Sequence, residues 1–258
     1  MKLEKIKEER KKNKLQFLMK GSDEIFANTI RRLIAEEVPT LAVEDLEIKE
    51  NSSALYDEML GLRLGLLPIK TDLKSYHFKS GCSCQGEGCA RCELKITLKA
   101  NKKGYVYAQE AESADPKCIF VQEMMPITKL LPKQKLDIQM TAVLGRGKDH
   151  TKWIPGVAFY KQEILVKVGS VKNPQKIMDA CTDGVFTLKG STLSVQEEQA
   201  RESNLLEYYA SLDRGITLVS TDNLLMWVES WGQLSCKEML ITAAEILMEK
   251  AEALEKLI

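Results

Sequence analysis

Apolar and polar positions along this chain switch between a helical and an alternating period, and each switch marks an element. Ile25, Phe26, Ile30, Leu33 and Ile34 recur at helical spacing behind Ser22 and Asp23, which can cap a helix and place negative charge at its positive end. Pro39 stops that pattern. Thr40 to Lys49 alternates in part and predicts a short strand. Leu55, Met59, Leu62 and Leu66 then return to helical spacing until Pro68. Upstream, Leu15, Phe17 and Met19 alternate as far as Gly21, which predicts a strand paired across a turn at 10–13 with one near Leu3 and Ile6. Downstream, Leu94, Ile96 and Leu98 alternate, Asn101 to Gly104 reads as a turn and Tyr105 to Ala108 returns, which predicts a hairpin. Leu136, Ile138, Met140, Ala142 and Leu144 predict a strand with one buried face. Two further strands are expected at 217–220 and 225–231. Ser235 to Glu238 has the form of a capping box. The helix behind it carries Leu240, Ala244, Leu247, Ala251, Leu254 and Ile258 at alternating four and three residues, the spacing of a heptad seam.

Composition narrows the function more than the fold. With 258 residues, 44% of them hydrophobic, the chain suits one or two domains with a real core. Lys plus Arg and Asp plus Glu each number 37, so the net charge is zero, which argues against a protein built mainly to grip a phosphate backbone. The eight cations of residues 1–20 are diluted by Glu4, Glu8 and Glu9 and read as part of the strand pair. No apolar run reaches the roughly 18 residues of a membrane span, and the first residues lack a signal-peptide core, so a soluble cytoplasmic chain is expected. Asp149 and His150 invite a catalytic reading, but the chain has only two histidines and no motif that brings a nucleophile to them. No catalytic residues are expected.

Cys82, Cys84, Cys89 and Cys92 form C-x-C-x4-C-x2-C, with Gly81, Gly86 and Gly88 letting the loop bend back. Four converging thiolates point to a metal, with structural zinc favoured over iron–sulfur; His77 is a possible substitute ligand. Four cysteines in eleven residues fit a reducing compartment better than a disulfide framework. A metal- or cluster-binding redox protein is the alternative reading of the same loop.

The stretch FANTIRRLIAEEVPTLAVEDLEIKENSSALYDEMLGLRLGLLPI, with paired Arg31 and Arg32 and a Leu-Pro-Ile stop, resembles the alpha motif of RNA polymerase assembly subunits, and the archaeal D-type members of that family in particular. The segment LGRGKDHTKWIPG is similar to the same family's docking loop, which implies that Lys148, His150, Lys152 and Trp153 meet neighbouring subunits. The resemblance implies an α+β fold in three parts. These are a discontinuous dimerisation domain (1–49, 156–169 and 211–258), an inserted mostly-β domain with the cysteine-rich metal loop (50–155), and a degenerate ferredoxin-like segment (170–210). It also implies a non-catalytic assembly platform that pairs with subunit L, adds subunits N and P, and nucleates the large catalytic subunits, with nucleic acid met only indirectly. The pairing would use Phe26, Ile30, Arg31 and Arg32 of the first helix and Leu240, Leu247 and Leu254 of the last. In 170–210 the family's cysteine run is missing apart from Cys181, so no iron–sulfur cluster is expected there. Ile177, Phe186, Leu205 and Leu206 are expected to close over its place, with Cys181 a buried, inert thiol.

Overall fold

The computed structural model describes residues 1–190 and 192–257. Ile258, the last position of the expected seam, and Ser191, inside the expected third segment, lie outside the described residues. The fold is mixed, with small antiparallel sheets and six α-helices among the described residues. Close packing groups the chain into two units: residues 1–6, 16–27 and 160–226, and residues 7–15, 28–159 and 227–258.

The opening hairpin forms as the alternation predicts. Strand β1 (Lys2–Glu9) turns through Arg10–Lys12 and Asn13, whose left-handed φ of 52° suits asparagine, into β2 (Lys14–Lys20). Gln16 and Leu18 are buried beside Phe17 and Met19, so β2 is covered on both faces, not on one. Helix α1 (Glu24–Glu36) is capped by Asp23, whose carboxylate accepts the Phe26 backbone N–H at 2.8 Å. Its buried face is Ala27, Ile30, Leu33 and Ile34; Ile25, expected on that face, is 77% exposed.

Strand β3 (Pro39–Asn51) runs 13 residues, longer than the alternation alone suggests, because it pairs along its length with a distant strand. Helix α2 (Asp57–Gly65) follows, then β4 (Glu93–Ala100), β5 (Gly104–Tyr107), β6 (Ala111–Ser113), β7 (Pro126–Leu130) and β8 (Leu136–Arg146). The sheet order is β3-β8-β4-β6, with β5 and β7 in a separate pair. The expected hairpin between 94–98 and 105–108 is therefore absent. One edge of β4 is taken by β8, from Glu93 opposite Val143 to Ala100 opposite Leu136, and the other by β6, so β5 turns to β7. Helix α2 also turns its other side inward: Leu60, Leu64 and Leu67 are buried, while Met59, Leu62 and Leu66 are about half exposed. These buried residues, with Ile69, Leu94, Ile96, Ile138 and Met140, share one apolar core.

Strand β9 (Gly156–Val168) leads to helix α3 (Pro174–Ala180), a hairpin of β10 (Phe186–Lys189) and β11 (Thr192–Val195), and helices α4 (Glu197–Glu202) and α5 (Leu206–Leu212). The two strands expected at 217–220 and 225–231 are a single strand, β12 (Ile216–Ser230). Helix α6 (Cys236–Glu255) opens with the expected capping box: Ser235 accepts from the Glu238 N–H, and Glu238 accepts from the Ser235 N–H at 2.8 Å. A four-stranded sheet in the order β1-β2-β12-β9 joins strands from both ends of the chain.

Candidate metal centre and interaction surfaces

The four cysteines meet in a loop that leaves the apolar core after Phe78 and returns to it at Leu94. The Sγ atoms of Cys82 and Cys89 are 3.5 Å apart, those of Cys84 and Cys92 3.6 Å and those of Cys89 and Cys92 3.8 Å, and all four lie within 4.8 Å of one another. A tetrahedron of about 2.3 Å zinc–sulfur bonds has edges of roughly 3.8 Å, so this sulfur set fits one tetrahedral ion. A multi-iron cluster lies between its thiolates and holds them farther apart. His77 is outside this group.

Loop geometry and charge both serve the site. Gly86 and Gly88 take φ of 88° and 102°, which only glycine adopts without strain. A Cβ at Gly88 would stand 2.7 Å from the Glu93 carboxylate, which holds Lys79 at 2.6 Å and Lys95 at 3.0 Å across the loop's exit. The Gly88 backbone N–H, against some desolvation, holds the Cys84 thiol down at about 6. Burial pushes the Cys92 thiol up to about 12, the direction that a cation beside it would oppose.

The residues expected at subunit contacts divide into two sets. Arg32, Lys148 and His150 are exposed, and Phe26, Arg31, Leu240 and Leu247 are half-buried. Leu254 is 60% exposed. Ile30 and Trp153, by contrast, belong to the chain's own interior. Ile30 is 7% exposed; Trp153 is 8% exposed, packs on Ala42 and Val143, and donates its indole N–H to the Val143 carbonyl at 3.2 Å. Their side chains do not offer a docking surface. Gly145 leaves room for that indole, since a Cβ there would come within 2.2 Å of it.

The twin arginines are held by their own helix. Arg31 bonds Asn28 at 2.9 and 3.0 Å and Arg32 bonds Glu36 at 3.1 Å. Lys152 reaches the Val43 carbonyl at 3.0 Å, pairs with Glu44 and lies over the Trp153 ring. Arg146, Lys148 and Lys250 converge on Glu37 at 3.6, 3.3 and 2.8 Å. Burial opposes ionisation of Glu37, but the ammonium groups of Lys250 and Lys148 hold it below the usual carboxylate range.

The segment 170–210 has an apolar interior of Ile177, Val185, Phe186, Leu193, Ala200, Leu206 and Tyr209. Leu205, expected to close it, is 40% exposed. Cys181 is half-buried, not buried, and accepts the Phe186 backbone N–H at 3.5 Å. The centre of the segment is Asp183, a residue that cysteine spacing does not single out. Its carboxylate accepts from the Ser203 hydroxyl at 2.5 Å and the Tyr209 hydroxyl at 2.8 Å.

These features fall within a known class. Residues 46–160 match the family model of the RNA polymerase Rpb3/RpoA insert domain, which spans β8, α2 and the cysteine loop. Three archaeal relatives, each named DNA-directed RNA polymerase subunit Rpo3, extend the likeness to nearly the whole chain. The one from Archaeoglobus fulgidus is 34% identical, covering 97% of this chain and 96% of its own. Those from Methanosarcina acetivorans and Pyrococcus furiosus are 32% and 31% identical, covering 92% and 95% of this chain and 91% and 92% of their own. The chain belongs to the family of archaeal DNA-directed RNA polymerase subunit Rpo3. It is accordingly an RNA polymerase subunit, which assembles with other polymerase subunits. No helix among the described residues is long and apolar enough to cross a membrane.

Proposed function

We propose that the chain is a non-catalytic assembly platform of an archaeal RNA polymerase. It pairs with subunit L through α1 and α6, adds subunits N and P, and presents the pair to the large catalytic subunits. The dimerisation parts are 1–49, 156–169 and 211–258, with 50–155 as the inserted domain and 170–210 as a ferredoxin-like segment held by packing. The observation that carries this reading is α6. Its seam positions Leu240 and Leu247 are only half-buried, and Leu254 and Met248 are exposed on a 20-residue helix. A helix of that length with an open apolar seam is built to be covered. Exposed Met59 and Leu62 on α2, with Leu66 just after it, give a second apolar face, suited to a large subunit.

In the same reading Cys82, Cys84, Cys89 and Cys92 hold one structural zinc. A redox protein would use the loop differently and would be coloured, whereas a zinc site is not; the absorbance spectrum of the purified chain separates the two. The pairing itself is tested by co-expression with subunit L and size-exclusion chromatography. Leu254→Glu changes an exposed seam position and should abolish co-elution with the isolated chain's fold intact; co-elution of this variant at the wild-type ratio would refute the seam.

A further inference from the structure

The chain is neutral as a whole, with 37 residues of each charge, but its lysines are not spread evenly. Residues 99–105, KANKKGY, and 129–135, KLLPKQK, hold six lysines and no carboxylate. The first stretch joins β4 to β5 and the second joins β7 to β8. Strand pairing sets the two side by side, with Ala100 opposite Leu136 on one flank and Gly104 opposite Leu130 on the other. The second loop is held by its own turn, in which the Gln134 carboxamide oxygen accepts the Leu131 N–H at 2.6 Å.

All six lysines are exposed. Among the described residues only Lys99 of the six has a carboxylate partner, Asp137 at 3.2 Å, while Lys129 lies over the Tyr105 ring at 5.0 Å from its centre. Two more carboxylates approach this end of the sheet, Glu50 through the strand register and Asp57 through a 2.7 Å bond from Asn51. Both belong to the β3 side of β8, opposite β4. Self-repulsion among clustered like charges opposes folding, so a counter-charge brought from outside would stabilise this end.

The side chains select the class of partner. The two stretches contain lysine and no arginine, which suits phosphates met as point charges more than carboxylates gripped by a planar fork. Beside them Tyr105 is 56% exposed, and the Tyr107 ring, two residues on along the same face of β5, stands tilted at 6.1 Å from it. Cations along a backbone track with an open aromatic ring at their edge are the combination that binds single strands, since every base has a face to stack. We infer that these two loops bind single-stranded nucleic acid, with Lys102, Lys103, Lys133 and Lys135 on phosphates and Tyr105 against a base. The lysines contact the backbone alone, so the contact is independent of sequence. This adds a direct nucleic-acid contact to the assembly role; the expectation of indirect contact, drawn from the neutral total, averages over the cluster.

The test is fluorescence anisotropy of the full chain with labelled oligothymidylate and oligouridylate of about 20 nucleotides. Binding to either strand supports the inference, and the tighter of the two identifies DNA or RNA as the source. The logarithm of the association constant should fall against that of salt with a slope of about −3, the value for four phosphates of a single strand. Changing Lys102, Lys103, Lys133 and Lys135 together to Gln should bring the slope to about −1 and weaken binding at least tenfold. Changing Lys74, Lys172, Lys189 and Lys237 to Gln removes the same charge from exposed positions elsewhere and should leave the slope unchanged. Tyr105→Ala should weaken binding at least fivefold at an unchanged slope, and Tyr105→Phe should bind as wild type. Melting temperatures of all these variants should match wild type, because every replaced side chain is exposed. Absence of binding, equal losses in the two lysine variants, or equal competition by polyglutamate of the same charge would overturn the inference. Binding of duplex as tightly as single strand would also overturn it.

Discussion

Replacing Asp183 by alanine tests whether the 170–210 segment is held by its own polar hub and apolar packing. The Asp183 carboxylate is the acceptor for Ser203 at 2.5 Å and Tyr209 at 2.8 Å, and it also receives the Val185 N–H at 3.4 Å. Tyr209 is fully buried and its ring meets Phe186 edge-on at 5.3 Å, so its hydroxyl has no route to water once the acceptor is gone. Two stranded hydroxyls at about 1–3 kcal/mol each give about 2–6 kcal/mol for Asp183→Ala. Tyr209→Phe removes one donor but keeps the ring, and should cost less, about 1.5–3 kcal/mol. The two changes share one interaction, so the double variant should fall well short of their sum. Native-state hydrogen exchange on the full chain reads this locally. Amides of α3, β10 and α5 should exchange about 30-fold faster or more in Asp183→Ala, since each 1.36 kcal/mol is a factor of ten. Burial pushes the Asp183 carboxyl up, but the Ser203 and Tyr209 hydroxyls outweigh it and hold the group below its ordinary range. A carboxylate depressed in the fold contributes fully above its unfolded value of about 3.9 and loses that contribution as pH falls through the folded value. The difference between wild type and Asp183→Ala should therefore be constant at neutral pH and shrink below about pH 4. Unchanged exchange in Asp183→Ala would refute the hub; a larger effect from Tyr209→Phe would refute the arithmetic.

Three further outcomes follow from the same geometry. Cys82→Ser with Cys89→Ser should reduce bound zinc from one per chain to none by elemental analysis, with exchange accelerated in the 76–94 loop and little changed in 170–210. Gly147→Ala should lower the melting temperature by several degrees, because its Cβ would lie 1.9 Å from the Ala35 carbonyl at the end of α1. Leu247→Glu should prevent association with subunit L at micromolar concentration, since an unpaired carboxylate in a covered seam costs several kcal/mol; Ile30→Glu should instead unfold the chain, because Ile30 lies in its own core.

Local signals are legible in the sequence where the local chain decides the structure. The 10–13 turn, the Asp23 cap, the Ser235 capping box and the four converging cysteines all depend on residues a few positions apart. The inward face of α2 is not legible in this way because the helix is apolar almost all round: 59, 62 and 66 and 60, 64 and 67 both satisfy helical spacing, and only the sheet beneath decides between them. The expected hairpin at 94–108 fails for a similar reason, since β8, some forty residues away, competes for the same edge of β4. Trp153 stands out as a docking residue by its loop, yet the space beside Gly145 draws it inward. Asp183 gives no local signal because its partners Ser203 and Tyr209 are 20 and 26 residues distant.

The assembly account is tested most directly by purifying a tagged copy of this chain from its own cells and determining the composition and stoichiometry of what comes with it. The account predicts one copy of subunit L per chain, with N, P and the large polymerase subunits in the same particle, and loss of all of them together when Leu254→Glu is introduced. A chain that purifies alone, or a Leu254→Glu chain that retains the large subunits without subunit L, would contradict it.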